Sequence, residues 1–309
     1  MNKMWKFWLY ISRKKRIGIP KEIIIDIDPT DDPCHGKQEN GLFHGYYWQT
    51  QYFPLLVFDG KTGDLIAPML RPGTVHASEG ADSLLKRVIK RIRKSFPDVK
   101  IKIRGDAGFG LPRMYNYCEG SKLSYIFGLA GNDVLKRHTN EIAAKQKLDF
   151  EKDKKDIREY ITFKYQAKTW DKEKTVIAKI EYNEHGSNIR FIVTNIDFET
   201  PEKGYKYYTE RGQCENYIKD LKNHLYLDRL SCCSYIANYF RMLLSCFGYI
   251  IMQELRLKLA GTEFEKMETN TIRLKLFKIG ARIKESSRRI WINLSSYFIY
   301  KDFFLKLVT

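Results

Sequence analysis

A mixed α/β fold is predicted for this 309-residue chain, and three observations predict it. Residues 21–29 (KEIIIDIDP) form a β-branched run of the kind found in a buried strand, residues 78–96 carry apolar side chains at helical spacing, and residues 99–103 (VKIKI) alternate like a strand immediately afterwards. Strand, helix and strand in succession indicate a layered sheet with helices packed against it.

The first strand stops at Pro29, and its closing Asp26-Ile27-Asp28 places the two aspartates on one face. Two further extended runs, 46–58 and 65–70, flank Asp59-Gly60-Lys61-Thr62-Gly63-Asp64, a suitable hairpin loop, so an antiparallel set of three strands is expected. Over 78–96, Ala81, Leu84, Leu85, Val88 and Ile92 make one helix face, while Lys86, Arg87, Lys90, Arg91, Arg93 and Lys94 fill much of the rest. This is a core-packed helix with a basic outer surface, for which simple solvation is the plain explanation. The following strand ends at Arg104-Gly105-Asp106-Ala107-Gly108, which puts Asp106 at its C-terminal end. A short helix near 112–118 and a strand near 123–129 complete a β-β-β-α-β-α-β order.

Residues 131–157 are polar and partly helical, and three strand-like runs follow at 160–166, 175–182 and 188–195. A β-rich subdomain inserted at about 140–200 is therefore expected. Helices return at 205–224 and 234–259, with a strand-like stretch at 289–294. The resulting division is a basic leader at 1–20, a first core segment at 21–139, the insertion at 140–200, a second core segment at 201–260 and a basic tail at 261–309.

Lys and Arg number 54 against 37 Asp and Glu, a formal net charge of +17 that suggests a polyanionic partner. The excess is clustered: 1–20 holds six basic and no acidic residues, 86–104 nine and one, and 270–290 seven and one. A membrane role is disfavoured, because the clusters accompany an α/β pattern and the apolar run 242–252 falls short of the about 20 residues a span needs. Residues 5–11 are interrupted by Lys6 and followed by Arg13-Lys14-Lys15-Arg16, a poor signal peptide. The six cysteines contain no C-x-x-C pair, which argues against a zinc knuckle or disulfide scaffold and fits a reducing cytoplasm.

Asp26, Asp28 and Asp106 are carboxylates at strand ends, where charge is costly unless a cation or donor compensates it. Turn formation by Asp28-Pro29-Thr30 and Gly105-Asp106-Ala107-Gly108 is the competing explanation. Residues 208–222 (YTERGQCENYIKDLK) read as helix apart from Gly212, and at about 100° per residue Tyr208, Arg211, Glu215 and Lys222 fall within an arc of roughly 60°. A surface helix with Arg–Glu pairing would look similar.

The spacing Tyr208, Arg211, Glu215, Lys222 resembles the Y-R-E-K signature of DDE transposases from bacterial insertion sequences. Asp26-Ile27-Asp28-Pro29-Thr30-Asp31-Asp32-Pro33, His35-Gly36, Leu42-Phe43-His44-Gly45-Tyr46-Tyr47, Leu70-Arg71-Pro72-Gly73, Arg104-Gly105-Asp106-Ala107-Gly108-Phe109 and Lys278-Ile279-Gly280-Ala281-Arg282 resemble the same superfamily, from about Lys21 onward. The resemblance implies an RNase H-like core in which Asp28, Asp106 and Glu215 hold two Mg²⁺ or Mn²⁺ ions, with Asp26 the alternative first acid. It also implies that Tyr208, Arg211 and Lys222 contact DNA, and that no organic cofactor is needed. Oxygen ligands suit such hard cations. Relatives can clamp a flipped base with an aromatic from the β insertion, for which Trp170 is the candidate here, against the commoner role of a core tryptophan.

The resemblance further implies double-stranded DNA at transposon ends and target sites as partner, a homodimer on that DNA, and a cytoplasmic, nucleoid-associated location. Only about 20 residues precede the first strand, whereas such relatives carry a larger DNA-binding region there, so an N-terminal truncation is expected. Three readings stand: a transposase that cleaves DNA and transfers strands, a catalytically impaired DNA-binding remnant, and a metal-dependent nuclease.

Overall fold

The computed structural model describes residues 5–308. Helix α1 (Trp5–Ile17) precedes strand β1 (Glu22–Pro29), and β2 (Asp32–Pro33), β3 (Leu42–His44) and β4 (Gln49–Tyr52) follow. Next come β5 (Leu55–Asp59), β6 (Leu65–Met69), α2 (Ala81–Ser95), β7 (Lys100–Gly105), α3 (Pro112–Gly120) and β8 (Ser124–Leu129). Helices α4 (Asp133–Arg137) and α5 (Asn140–Asp153) lead to β9 (Ile157–Tyr165), β10 (Lys174–Asn183) and β11 (Gly186–Thr194). The chain then forms α6 (Pro201–Thr209), α7 (Gln213–Leu225), α8 (Tyr235–Lys258), α9 (Thr269–Ile272), the hairpin β12 (Ala281–Glu285) and β13 (Ile290–Leu294), and α10 (Lys301–Val308).

Eight strands make one mixed sheet in the order β6-β5-β1-β7-β8-β11-β10-β9. Strand β1 runs antiparallel to β5 and parallel to β7, and β7 runs parallel to β8. The fold is α/β, a mixed sheet with helices on both faces. Alternation along β1 sends Ile23, Ile25 and Ile27 into the core shared with Leu84, Leu85, Val88 and Ile92 of α2 and Met114 of α3. On the opposite face, Leu56, Phe58 and Leu65 pack with Cys214, Ile218 and Leu221 of α7 and Met242, Cys246 and Tyr249 of α8. Helix α8 has the length and composition to cross a membrane, yet this face is buried in the sheet core.

The β-rich segment is present, but it is not set apart. Strand β11 pairs antiparallel with β8, Phe191 opposite Leu129 through Thr194 opposite Ile126, so β9–β11 extend the core sheet edgewise. An unpaired edge on β8 would expose a row of backbone donors and acceptors, and β11 satisfies them. The run 46–58 is likewise not one strand: it breaks at Phe53-Pro54, and β4 pairs with β2 and β3 in a separate small sheet. Proline lacks the amide proton that a continuous ladder would use.

The basic leader folds as α1 and docks on the β5–β6 hairpin. The Tyr10 hydroxyl donates to Asp59 Oδ2 at 2.9 Å, Lys14 Nζ lies 2.7 Å from the same oxygen, and Arg13 pairs with Asp64. These aspartates belong to the hairpin loop, so the loop that ends one strand also anchors the helix. None of the six cysteines forms a disulfide.

Candidate active site

The parallel register of β1 and β7 sets Glu22 opposite Lys100 and Ile27 opposite Gly105. Continued by one residue, it brings Asp28 opposite Asp106 at the C-terminal ends of two adjacent strands. Asp106 also caps the single 3₁₀ turn Ala107–Phe109, accepting the Gly108 amide at 2.9 Å through Oδ1. Its turn chemistry and its position at the site are therefore compatible, since only one carboxylate oxygen is engaged in the cap.

Tyr208, Arg211, Glu215 and Lys222 do not lie on one uninterrupted helix. Helix α6 ends at Thr209, Glu210–Gly212 form a 3₁₀ turn, and α7 begins at Gln213. Glu215 lies in the first turn of α7 and is exposed. Arg211 Nη2 approaches Asp28 Oδ1 to 3.3 Å, and its guanidinium lies 5.8 Å from the centre of the Tyr208 ring. Lys222 Nζ donates to Asp31 Oδ1 and to the Asp31 carbonyl, both at 3.0 Å. The expected phosphate contacts, Arg211 and Lys222, thus rest on acidic residues at and just beyond the end of β1.

Gly128 on β8 makes room for this arrangement. A Cβ there would lie 2.7 Å from both the Ala107 amide nitrogen and the Tyr208 hydroxyl. Glycine at this one position lets the turn after Asp106 and the Tyr208 side chain approach the same strand.

Asp26 and Asp28 sit two residues apart in β1, yet their surroundings differ. Arg104, directly opposite Asp26, holds both of its oxygens, Nε to Oδ1 at 2.6 Å and Nη2 to Oδ2 at 2.9 Å. Arg104 Nη1 also donates to the Tyr207 carbonyl and to Glu210 Oε2, each at 2.9 Å, tying the sheet to the segment between α6 and α7. Asp28 has no such clasp. Burial, joined by the negative charges of Asp106 and Glu215 and opposed by Arg211, pushes its carboxyl up to about 7.

Sequence reasoning missed three contributors. Arg104 reads as part of a basic cluster, but it is fully buried. Asp31 serves as the anchor of Lys222. Asp32 is 2% exposed, neither carboxylate oxygen has a hydrogen-bond partner, and burial with the nearby Asp228 pushes its carboxyl up to about 8. The signal for the last two was the unusual run Asp31-Asp32-Pro33, which composition alone does not interpret. Trp170 is placed in the core instead of at the site: it is 7% exposed and packs edge-on against Tyr115 and Tyr165. A base clamp at Trp170 is thereby set aside, because the ring is buried within the core cluster.

Among the described residues, no three His, Cys, Asp or Glu side chains stand close enough together to hold a metal ion. The donor chemistry nevertheless fits a hard divalent cation. Asp28 feels the charges of Asp106 and Glu215, and this all-oxygen set carries more negative charge than Arg211 offsets.

Among solved structures, the chain is similar to the Argonaute of Marinitoga piezophila, described in complex with 5′-hydroxyl guide RNA and target DNA. The identity is 12%, over 63% of this chain and 26% of that one, with a TM-score of 0.28. The chain thus spans about a quarter of that protein. No curated protein matches it. A family model does: transposase DDE domain group 1, over residues 3–309. With the match running almost the full length, this chain belongs to the DDE transposase family.

Proposed function

We propose that the chain is the transposase of an insertion sequence, cleaving the element's DNA ends and joining the freed 3′-hydroxyl to a target phosphodiester in cut-and-paste transposition. Family membership supports a transposase acting on DNA in general terms. The observation that carries the finer reading is that Asp28 at the end of β1 and Asp106 just past the end of the adjacent β7 lie within electrostatic reach of each other and of Glu215.

In this reading Asp28, Asp106 and Glu215 are the residues that would hold two Mg²⁺ or Mn²⁺ ions. When bound, such ions activate the attacking oxygen and stabilise the leaving one in in-line phosphoryl transfer. Arg211, now beside Asp28, would turn its planar guanidinium to a DNA phosphate once the acid's charge is otherwise offset. Lys222 supplies a point charge next to the loop that follows Asp28, and the Tyr208 hydroxyl donates a hydrogen bond to phosphate or sugar. Arg104 fixes Asp26 and thereby the level of β1, a positioning role. The partner would be double-stranded DNA at element ends and target, engaged by a homodimer in the nucleoid-bearing cytoplasm.

The test uses a supercoiled plasmid carrying the DNA that flanks the gene. Wild-type protein with Mg²⁺ is expected to release the element ends, whereas Asp106→Asn and Glu215→Gln are expected to abolish cleavage and retain DNA binding. Cleavage surviving in either variant overturns the assignment. A pre-cut end that the wild type hydrolyses no further and never joins to target would limit the activity to a nuclease.

A further inference from the structure

The small sheet beside the acids presents an aromatic surface to solvent. Between β3 and β4 the chain reads Gly45-Tyr46-Tyr47-Trp48, and Tyr46 is 86% exposed, Trp48 80% and Phe43 51%. Residues 41–54 (GLFHGYYWQTQYFP) contain no Asp, Glu, Lys or Arg, in a protein of net charge +17. A neutral aromatic tip is unsuited to gripping phosphates, but it suits the faces of bases.

Its position ties it to the site. Gln49, the first residue of β4, donates through Nε2 to Asp31 Oδ2 at 3.3 Å, and Asp31 is the residue that holds Lys222. Tyr47 is close enough to Asp31, Asp28 and Asp106 to feel their charges, which add to the effect of its own burial. The tip is also built to hold its shape. Trp48 adopts a left-handed backbone with φ of 54°, a strained conformation for so bulky a residue, and its amide donates to the His44 carbonyl at 2.8 Å. Underneath, Gly73 passes so near the hairpin that a Cβ there would sit 1.9 Å from the Gln51 carbonyl oxygen and 2.4 Å from that of Leu42.

We propose that the Tyr46–Trp48 turn, with Phe43, is a base-stacking platform that receives unpaired nucleotides next to the place where the phosphodiester would react, at Asp28, Asp106 and Glu215. The substrate class is therefore DNA frayed or distorted at the cleavage point. Stacking is tolerant of base identity, so the turn would stabilise strand opening without reading sequence. This deepens the proposed function and rests on it for the location of the phosphodiester.

The experiment measures binding in EDTA, where cleavage plays no part, by fluorescence anisotropy on a blunt duplex and on the same duplex with a few unpaired nucleotides at one end. Wild type is expected to prefer the frayed end by about fivefold or more, and the double variant Tyr46→Ala/Trp48→Ala to lose that preference. Tyr46→Phe and Trp48→Phe are expected to keep it, because each retains a ring. Asp106→Asn, run in parallel, is expected to keep the preference while losing cleavage, so failure of the catalytic reading is told apart from failure of this one. Three results would overturn the proposal: no preference in the wild type, a preference that survives the double alanine variant, or sedimentation in which the wild type self-associates and the double alanine variant does not.

Discussion

Arg104 clasps Asp26 with two guanidinium nitrogens, at 2.6 and 2.9 Å, where both residues are almost wholly withdrawn from solvent. The pair sets the two acids of β1 apart: Asp26 is partnered within the sheet, and Asp28 is left beside Arg211, where we propose that the chemistry takes place. Removing one partner of a buried ion pair costs about 3–5 kcal/mol. Asp26→Ala is therefore expected to lower stability to urea by about that amount. Asp26→Ala with wild-type stability would show that the pair does not support the sheet.

Asp28 behaves in the opposite sense, and pH reveals it. Its folded-state carboxyl is raised from 3.8 to about 7, so Asp28 favours the folded state fully below pH 3.8. That advantage is lost as pH rises through about 7; at about 1.4 kcal/mol per unit, its full size is about 4 kcal/mol. In EDTA, Asp28→Asn is expected to melt above the wild type at about pH 8 and to show no gain below about pH 4, as followed by circular dichroism. A gain independent of pH would assign the effect to something other than ionisation.

Lys222 offers a test by salt. Its ammonium rests on Asp31 without DNA, and transfer to a phosphate would release one counterion. Lys222→Ala should weaken duplex binding and flatten the slope of log K against log salt by about one unit. Weakened binding with an unchanged slope would leave Lys222 as a strut for the loop after β1.

Gly128 links packing to activity. Gly128→Ala forces a methyl against the Ala107 amide and the Tyr208 hydroxyl, and overpacking of this kind typically costs about 1–3 kcal/mol. Cleavage should fall much further than the change in melting temperature implies, because the displaced turn carries Asp106. Equal losses in proportion to stability would mean that the turn relaxes without moving the acid.

Much of the candidate site could be read from the sequence because its residues sit where local periodicity is strong. Alternation in residues 21–29 and 99–103 placed Asp28 and Asp106 at strand ends, and the spacing from Tyr208 to Lys222 survives the 3₁₀ turn at Glu210–Gly212. Relationships set by pairing between distant segments were not readable. Nothing local in residues 186–194 says that they will pair with β8, and nothing in a basic stretch marks Arg104 as the buried member. The same holds for Trp170, whose partners Tyr115 and Tyr165 flank it only after the chain has folded back.

The junction of β8 with β11 has a mechanical consequence. Because β9–β11 are stitched to β8 through a backbone ladder, a lid-like swing of these strands would have to break that ladder. A pull on β9 would be carried strand by strand to Gly128, and from there to the turn that holds Asp106.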